Sequence, residues 1–268
     1  MIPDDRVRFG TVERARRVWA VGAVHGEFAR LQALHARLER GFRAGDRLVY
    51  LGNYLGRGAR IVEVVDEILL FRRALMARFT LFENDIQLLR GSQEEMWQKL
   101  LQIQLAQSPA QVFEWMLAQG VEATLRAYGV DPDSGRMRCR DGPLALARWS
   151  LELRQAIRAH AGHEQLLAAL RRAAFTDDGR ILFVHAGIDP HRPLAAQTDS
   201  FWWGGGDFPA ITEPYDGFRR IVRGYDPAHR GLAIGEVTLT VDSGCGFGGP
   251  LSAICLDRDG AVIEVIEA

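Results

Sequence analysis

Lysine is almost missing from this 268-residue chain, since Lys99 is the single lysine and 32 of the 33 basic residues are arginine. We interpret this bias as a compositional feature of the genome rather than as a functional signal. Basic and acidic residues nearly cancel, and the net charge is -1 at pH 7. Such a balance provides no overall attraction to nucleic acid or to an acidic membrane, and we expect neither as a partner.

Cysteine is also scarce, and its three residues include no C-x-x-C pair. An odd number of unpatterned cysteines argues against a disulfide framework and favours free thiols in a reducing compartment. No apolar run approaches the ~20 residues that a membrane-spanning helix needs. The first ten residues lack the apolar core of a signal peptide. These absences predict a cytoplasmic protein.

The residues that are present form the composition of an ordinary globular protein, with 47% hydrophobic and 25% charged residues. Short apolar runs alternate with segments of helical periodicity, a pattern typical of an α/β fold. The predicted strands are residues 17–22, 47–52, 86–89, 181–185, 218–223, 237–241, 251–256 and 261–266. The predicted helices that separate the first strands are residues 27–40 and 60–76.

Residues 94–174 show helical rather than strand periodicity. Their apolar residues recur at helical spacing between breaks at Pro109, residues 129–133 and residues 142–143. We predict a mostly helical insertion within a single domain that spans residues 1–268. Ligands of α/β folds gather in loops at the carboxyl ends of strands. The candidate loops are residues 23–25, 53–57 and 91–94.

These loops and three later segments contain six short motifs rich in glycine and polar residues. The segments are residues 22–26 (GAVHG), 52–58 (GNYLGRG), 90–96 (RGSQEEM), 183–187 (FVHAG), 222–227 (VRGYDP) and 241–253 (VDSGCGFGGPLSA). In sequence and in order they resemble the motifs of the calcineurin-like metallophosphoesterase superfamily, in its bacterial serine/threonine protein phosphatase-like branch, and the resemblance covers about residues 17–266. The family counterparts are G-D-x-H-G, G-D-x-x-D-R-G, R-G-N-H-E-E-M, V-H-A-G, V-H-G-H-T-P and D-T-G-x-x-x-G-G-x-L-T-A.

The resemblance implies an α/β fold of four layers (αββα), in which two mixed β-sheets pack together and helices flank both outer faces. In the family, two metal ions hold the phosphate and activate a water molecule. A histidine, oriented by an aspartate, protonates the leaving oxygen. Hard divalent ions of this kind need carboxylate, amide and imidazole ligands.

The positions that the resemblance assigns to metal ligands have largely lost their ligand atoms. Ala23 and Asn53 stand where the family has aspartates, and Tyr225 stands where it has a histidine. Only His25 and His185 keep their residue type. The six vestigial metal positions are Ala23, His25, Asn53, Ser92, His185 and Tyr225.

The acid–base positions have changed as well. Gln93 replaces the histidine that protonates the leaving group, and an amide cannot donate an imidazolium proton. Gly56 replaces the aspartate that orients this histidine. Arg57 keeps the phosphate-binding position of the family and Glu94 keeps its glutamate. We therefore expect no catalytic residue at the degenerate positions Gly56 and Gln93.

The lost carboxylates decide against a metal pair. Two unit charges about 4 Å apart repel by ~4 kcal/mol at an effective dielectric constant near 20, and two dications repel by about four times as much. Ala23, Asn53 and Gly56 remove the three carboxylates that would offset this repulsion. Since the strands and closing glycines are kept, we predict a metal-free pseudophosphatase, with no cofactor, that acts as a binding or regulatory module.

Three hypotheses stay open for its function. The first is an anion or phosphopeptide site without turnover, because arginine and histidine donate hydrogen bonds to phosphate oxygens. Its candidate residues are Arg57, Arg90, Arg223, His25 and His185. The second is a weakly active phosphoesterase with a reduced one-metal site. A single divalent ion (Zn, Mn or Fe) would be held by His25, Asn53 and His185 with water molecules.

The third hypothesis is a protein-interaction module. Residues 201–206 (FWWGGG) combine aromatic side chains with glycines, and an exposed patch of this kind can bind a partner protein. The alternative is that the two tryptophans pack beneath their own loop.

Overall fold

The computed structural model describes residues 8–268. The strands are β1 (Phe9–Val12), β2 (Arg17–Val21), β3 (Asp46–Tyr50), β4 (Ile86–Leu88), β5 (Ala173–Thr176), β6 (Ile181–Val184), β7 (Arg220–Arg223), β8 (Ala233–Ile234), β9 (Thr238–Thr240), β10 (Ser252–Asp257) and β11 (Val262–Glu267). The helices are α1 (Phe28–Gly41), α2 (Ile61–Phe79), α3 (Ser92–Leu100), α4 (Pro109–Met116), α5 (Glu122–Ala127), α6 (Pro132–Asp141), α7 (Pro143–Arg158), α8 (His163–Ala169) and α9 (Ser200–Trp203).

The strands form two mixed sheets. One has six strands in the order β1-β5-β6-β7-β9-β8, and the other has five in the order β11-β10-β2-β3-β4. Strands β2, β3 and β4 run parallel, as do β6, β7 and β9. The carboxyl ends of each parallel set therefore meet at one edge of its sheet, where ligand-binding loops of α/β proteins gather.

Successive residues of a strand point to opposite faces of its sheet. Alternate residues of a strand therefore belong either to the apolar layer between the two sheets or to an outer layer. In β2, Val18 and Ala20 belong to the layer between the sheets, together with Phe183 of β6. Trp19 and Val21 belong instead to the apolar core beneath α1 and α2.

Helices cover the outer face of the five-stranded sheet, and a thinner layer covers the six-stranded sheet. This thinner layer contains α9 and the loops on either side of it, with Phe201 and Trp202 buried against the sheet. The predicted αββα fold is thus confirmed. No helix within residues 8–268 is long and apolar enough to cross a bilayer.

Three strands were not predicted from the sequence. Strands β1 and β8 lie outside every predicted strand, and β5 begins inside residues 94–174, which were predicted to be helical. Strands β1 and β5 have four residues each and pair in parallel with each other across more than half of the chain, and β8 has two residues. Strands as short as these carry too little periodicity to stand out.

Candidate functional site

The loops that follow β2, β3, β4, β6 and β7 meet where the two sheets come together. Two hydrogen bonds join loops of opposite sheets. The Ala23 amide donates to the Gly224 carbonyl at 2.9 Å, and the His185 Nδ1–H donates to the Leu51 carbonyl at 2.7 Å. The structure thereby brings together six of the predicted positions. We call these the central cluster: His25, Asn53, Ser92, Gln93, His185 and Tyr225.

Close backbone approach explains why glycine is needed at several motif positions. Gly52 has a φ of +100°, and a Cβ added there would lie 2.7 Å from the Gly91 nitrogen and 2.9 Å from His185 Nδ1. A Cβ on Gly224 would lie 2.2 Å from the Leu51 Cβ. These glycines are required by the fold of the loops, whatever chemistry the loops carry.

Asn53 is the hub of the central cluster. It is fully buried, and its backbone is left-handed with a φ of +56°. Its side-chain oxygen accepts from the Gln93 backbone N–H at 2.9 Å and from Ser92 Oγ at 3.1 Å. Its Nδ2 lies 3.2 Å from His25 Nε2. The amide therefore links the first loop to the start of α3 by direct hydrogen bonds.

This network fixes the tautomers of both histidines. A backbone N–H can only donate, so the Asn53 atom that faces Gln93 is its oxygen, and Nδ2 must donate to His25 Nε2. The hydrogen of His25 consequently lies on Nδ1. The Leu51 carbonyl can only accept, so neutral His185 carries its hydrogen on Nδ1 and has a lone pair on Nε2.

The Glu94 carboxylate ties the second loop to α3. It is buried and accepts from the backbone N–H groups of Asn53, Leu55 and Gly91 at 2.8–3.0 Å. Burial raises the pKa of this carboxyl, and the backbone donors oppose the rise. Glu94 has a structural role here, since it satisfies two amide groups of the loop after β3 and the Gly91 amide at the start of α3.

Gln93 fills the space that the missing side chain at Gly56 leaves. A Cβ built on Gly56, which has a φ of +81°, would lie 2.3 Å from Gln93 Oε1. The Gln93 Nε2 donates to the Gln119 carbonyl at 2.8 Å. Gln119 lies beside Gly120, where a φ of 114° marks a kink between α4 and α5. The helical segment thus contacts the central cluster directly.

Aromatic rings lie over the two histidines. The Tyr225 ring stacks on His185 at a centroid distance of 5.3 Å. The Phe247 ring packs edge to face against His25 at a centroid distance of 5.4 Å. The Arg57 guanidinium lies over the Phe247 ring, at 4.0 Å from its centroid. His25 and His185 are at most 1% exposed beneath this cover. The central cluster is therefore shielded from solvent.

Both histidines are held in the neutral form. Burial lowers the pKa of His185 to about 4, although the bond to the Leu51 carbonyl opposes the shift. Burial also lowers the pKa of His25 well below its usual value, and the neighbouring His185, Arg57 and His229 add to the effect. At neutral pH each of the two imidazoles therefore has one N–H donor and one nitrogen acceptor.

Four buried polar atoms of this region have no hydrogen-bond partner among the described residues. Two are donors, the His25 Nδ1–H and the Arg57 Nε–H. Two are acceptors, Gln93 Oε1 and His185 Nε2. Buried polar atoms of native proteins are nearly always satisfied, so this concentration marks the place where water or a polar ligand would bind.

Arg90 and Arg223, which were predicted to join the anion site, have partners elsewhere. Arg223 donates to Thr240 Oγ1 at 2.9 Å and forms a 3.1 Å ion pair with Asp226. Its strand partner Val184 belongs to the outer apolar core, so Arg223 faces away from the layer between the sheets. The Arg90 guanidinium pairs with Glu95 at 3.3 Å and lines a separate cleft.

The residues of the central cluster do not fit a metal centre. Within residues 8–268, no group of three or more His, Cys, Asp or Glu side chains is arranged to hold an ion. The Asn53 oxygen is already bonded twice, and its amide hydrogen occupies the nitrogen of His25 that faces it. A metal at His25, Asn53 and His185 would have to break these bonds and would gain no carboxylate.

Residues 201–206 divide into a buried and an exposed part. The packing alternative predicted that both tryptophans pack beneath the loop, and Trp202 is buried in the outer core together with Phe201, whereas Trp203 is half-buried. The glycines at 204–206 lie along a surface groove of about 580 Å³ together with Asp199 and Asp207. The aromatic residues of this segment therefore do not form an exposed patch, since Trp203 alone among them is partly accessible.

Solved structures of phosphatases share the fold of this chain, whereas neither a protein-family model nor a curated protein matches its sequence. A proposed diadenosine tetraphosphatase is 20% identical, with a TM-score of 0.59 over 98% of both chains. A protein serine/threonine phosphatase from Saccharomyces cerevisiae is 16% identical, with a TM-score of 0.53 over 98% of this chain and 85% of that chain. A cold-active protein tyrosine phosphatase of a Shewanella species is 14% identical, with the same TM-score and coverage. The chain has the fold of these phosphatases.

Three further residues contact the central cluster or its loops but were not predicted from the sequence: Phe247, Gln119 and Thr124. Phe247 is the lone aromatic residue in a run of glycines within the last motif, which was a usable signal. The Gly56 backbone N–H donates a hydrogen bond to Thr124 Oγ1 at 3.1 Å, and no sequence pattern around Thr124 indicates this contact. A contact of this kind, between α5 and the loop after β3, has no short sequence motif that would predict it.

Proposed function

We propose that the chain is a metal-free pseudophosphatase of the calcineurin-like superfamily, which keeps the phosphatase fold and serves as a binding or regulatory module. The hydrogen-bonded Asn53 carries this proposal. The resemblance assigns position 53 to the aspartate that bridges both metal ions. In this chain a neutral amide occupies it and joins His25 to the start of α3 by hydrogen bonds.

The residue at position 93, to which the resemblance assigns the general acid, also supports an inactive protein. Gln93 has no acidic proton, and its side chain is anchored on the Gln119 carbonyl. Loss of a general acid costs about 100- to 10,000-fold in rate. Loss of the metal ligands removes the activated water as well. Together these changes leave no group in the central cluster that could perform phosphoester hydrolysis.

Metal analysis combined with phosphatase kinetics tests this proposal. We expect the purified protein to contain far less than one metal ion per chain. We also expect p-nitrophenyl phosphate to be hydrolysed no faster than by a His25→Ala/His185→Ala double variant, because the histidines have no ion to hold. The readouts are elemental analysis and the release of nitrophenolate.

A single-metal phosphoesterase is the alternative outcome of this experiment. It would show one ion per chain and a wild-type rate that rises with added Zn, Mn or Fe. The double variant would lose both the ion and the rate. That combination would overturn the proposal of a metal-free protein.

A phosphate-binding site is a second candidate function, favoured by the unpartnered atoms of the central cluster. The His25 Nδ1–H and the Arg57 Nε–H can donate to anionic oxygens, and His185 Nε2 can accept from a protonated one. A hydrogen phosphate or a phosphomonoester monoanion supplies both kinds of oxygen. Tyr225 and Phe247 would have to move aside to admit it.

Titration with inorganic phosphate, followed by calorimetry, tests this second function. Arg57→Gln is expected to weaken binding by about 10- to 100-fold, because a hydrogen bond to a charged group contributes ~1.5–3 kcal/mol. Arg60→Gln is the matched control, since Arg60 is three residues away and bonds to Glu63 on the surface. Equal affinities of the two variants, or no phosphate binding at all, would exclude the site.

A further inference from the structure

A cleft of about 280 Å³ lies between α3, α7 and α8, apart from the central cluster. Its floor is apolar and consists of Trp97, Leu101, Ile157 and Leu167, which are all buried. Ligand sites are typically apolar concavities with a few polar groups, with volumes of about 300–1,000 Å³. This cleft is slightly smaller than the lower end of that range and suits a compact ligand.

Two arginines form the polar side of the cleft. Arg90 has a buried Nε–H without a partner, and its Nη1 reaches Glu95 only at 3.3 Å. Glu95 is shared with Lys99, whose Nζ lies 3.9 Å away. Arg154 has an electrostatic interaction with Glu164 but forms no hydrogen bond or close ion pair with any residue of the described range 8–268. Both guanidinium groups therefore have donors left over.

The charge of the cleft is positive although a carboxylate lines it. Glu164 is neutralised by Arg158, whose Nε lies 2.7 and 2.8 Å from its two oxygens. The pKa of Glu164 is lowered chiefly by this hydrogen bond, with a smaller contribution from the charge of Arg154. Four cationic side chains thus surround two carboxylates in and beside the cleft. An anionic group would find uncompensated positive charge there.

We propose that this cleft binds a small organic acid, with its carboxylate on Arg90 and Arg154 and its apolar body on the floor at Trp97. A guanidinium pairs with a carboxylate through two parallel hydrogen bonds, which gives such a site both affinity and orientation. The indole of Trp97 and the aliphatic side chains beside it exclude water from the rest of the ligand. The site is independent of the proposed function of the central cluster.

Binding of phenylacetate, indole-3-propionate and 4-methylpentanoate to the full chain tests the proposal. Calorimetry gives the affinity, and the indole N–H signal of Trp97, assigned with Trp97→Phe, gives the location by NMR. We expect at least one acid to shift this signal saturably and to bind at least ~10-fold more tightly than its neutral amide, because the amide lacks the charge-assisted hydrogen bonds.

Arg154→Gln and Arg148→Gln provide a matched pair of variants on α7. Arg154 lines the cleft, whereas Arg148 is exposed and does not. Arg154→Gln is expected to weaken binding of the acid by about 10-fold or more, and Arg148→Gln is expected to leave it unchanged. The proposal is overturned if none of the three acids shifts the Trp97 signal. Equal binding of acid and amide, or equal affinities of the two variants, would overturn it too.

Discussion

Restoring the motif residues of the resembling family is expected to create phosphatase activity at least ~100-fold above that of the unmodified chain. The substitutions are Ala23→Asp, Asn53→Asp, Gly56→Asp, Ser92→Asn, Gln93→His and Tyr225→His. They would return the carboxylates that offset repulsion between two dications and the imidazole that protonates the leaving group. Hydrolysis of p-nitrophenyl phosphate with added Mn measures the gain.

The structure gives a reason to expect that the scaffold will accept these changes. The loops are held by backbone bonds and by Glu94, which do not depend on the substituted side chains. A control variant carries the same substitutions except Asn53→Asp and is expected to stay inactive, because no group then bridges the ions. Should both variants fold and bind metal but remain inactive, the loss of chemistry would lie outside these positions.

Acid is expected to destabilise the folded chain by about 3 kcal/mol or more between pH 6.5 and pH 4. A histidine with a usual pKa of 6.5 is protonated in the unfolded chain below that pH, whereas buried His185 stays neutral down to about 4. Protons therefore bind preferentially to the unfolded state within this window. Each pKa unit of difference between the folded and unfolded states contributes about 1.4 kcal/mol to the free energy of unfolding. The pKa of His25 is lowered in the folded state as well.

Urea denaturation at a series of pH values measures this loss. Other groups also titrate, so the informative quantity is the difference between wild type and His185→Gln, which should lose less stability in acid. His191→Gln is the matched control, because His191 is exposed on a surface loop. Identical pH dependence of wild type and His185→Gln would show that His185 is accessible to protons in the folded state.

The sequence predicted the layered α/β fold, without three of its short strands, and it predicted which loops lie next to one another. Strands such as β2 and β6 end directly before motif residues, so that parallel pairing brings their loops together. The orientation of single side chains could not be read in this way. Arg223 lies beside Val184 on the outer face of its sheet, and this register emerges only when the strands are paired.

Contacts made by the helical segment were equally inaccessible from the sequence. Helical periodicity was visible in residues 94–174, yet nothing in it indicates that Gln119 accepts a hydrogen bond from Gln93. Likewise, Arg90 stands beside the third loop in sequence, but its side chain lines the cleft between α3, α7 and α8. Side-chain direction depends on local backbone geometry, which residue spacing does not specify.

The fit between Gly56 and Gln93 couples these two positions. An aspartate introduced at position 56 alone would meet Gln93 and would sit in a left-handed backbone. A histidine at position 93 alone would lose the anchor on Gln119 and gain no partner. Each single substitution is therefore less favourable than the present pair, and the effects of the two substitutions on stability should be non-additive in a double-mutant cycle.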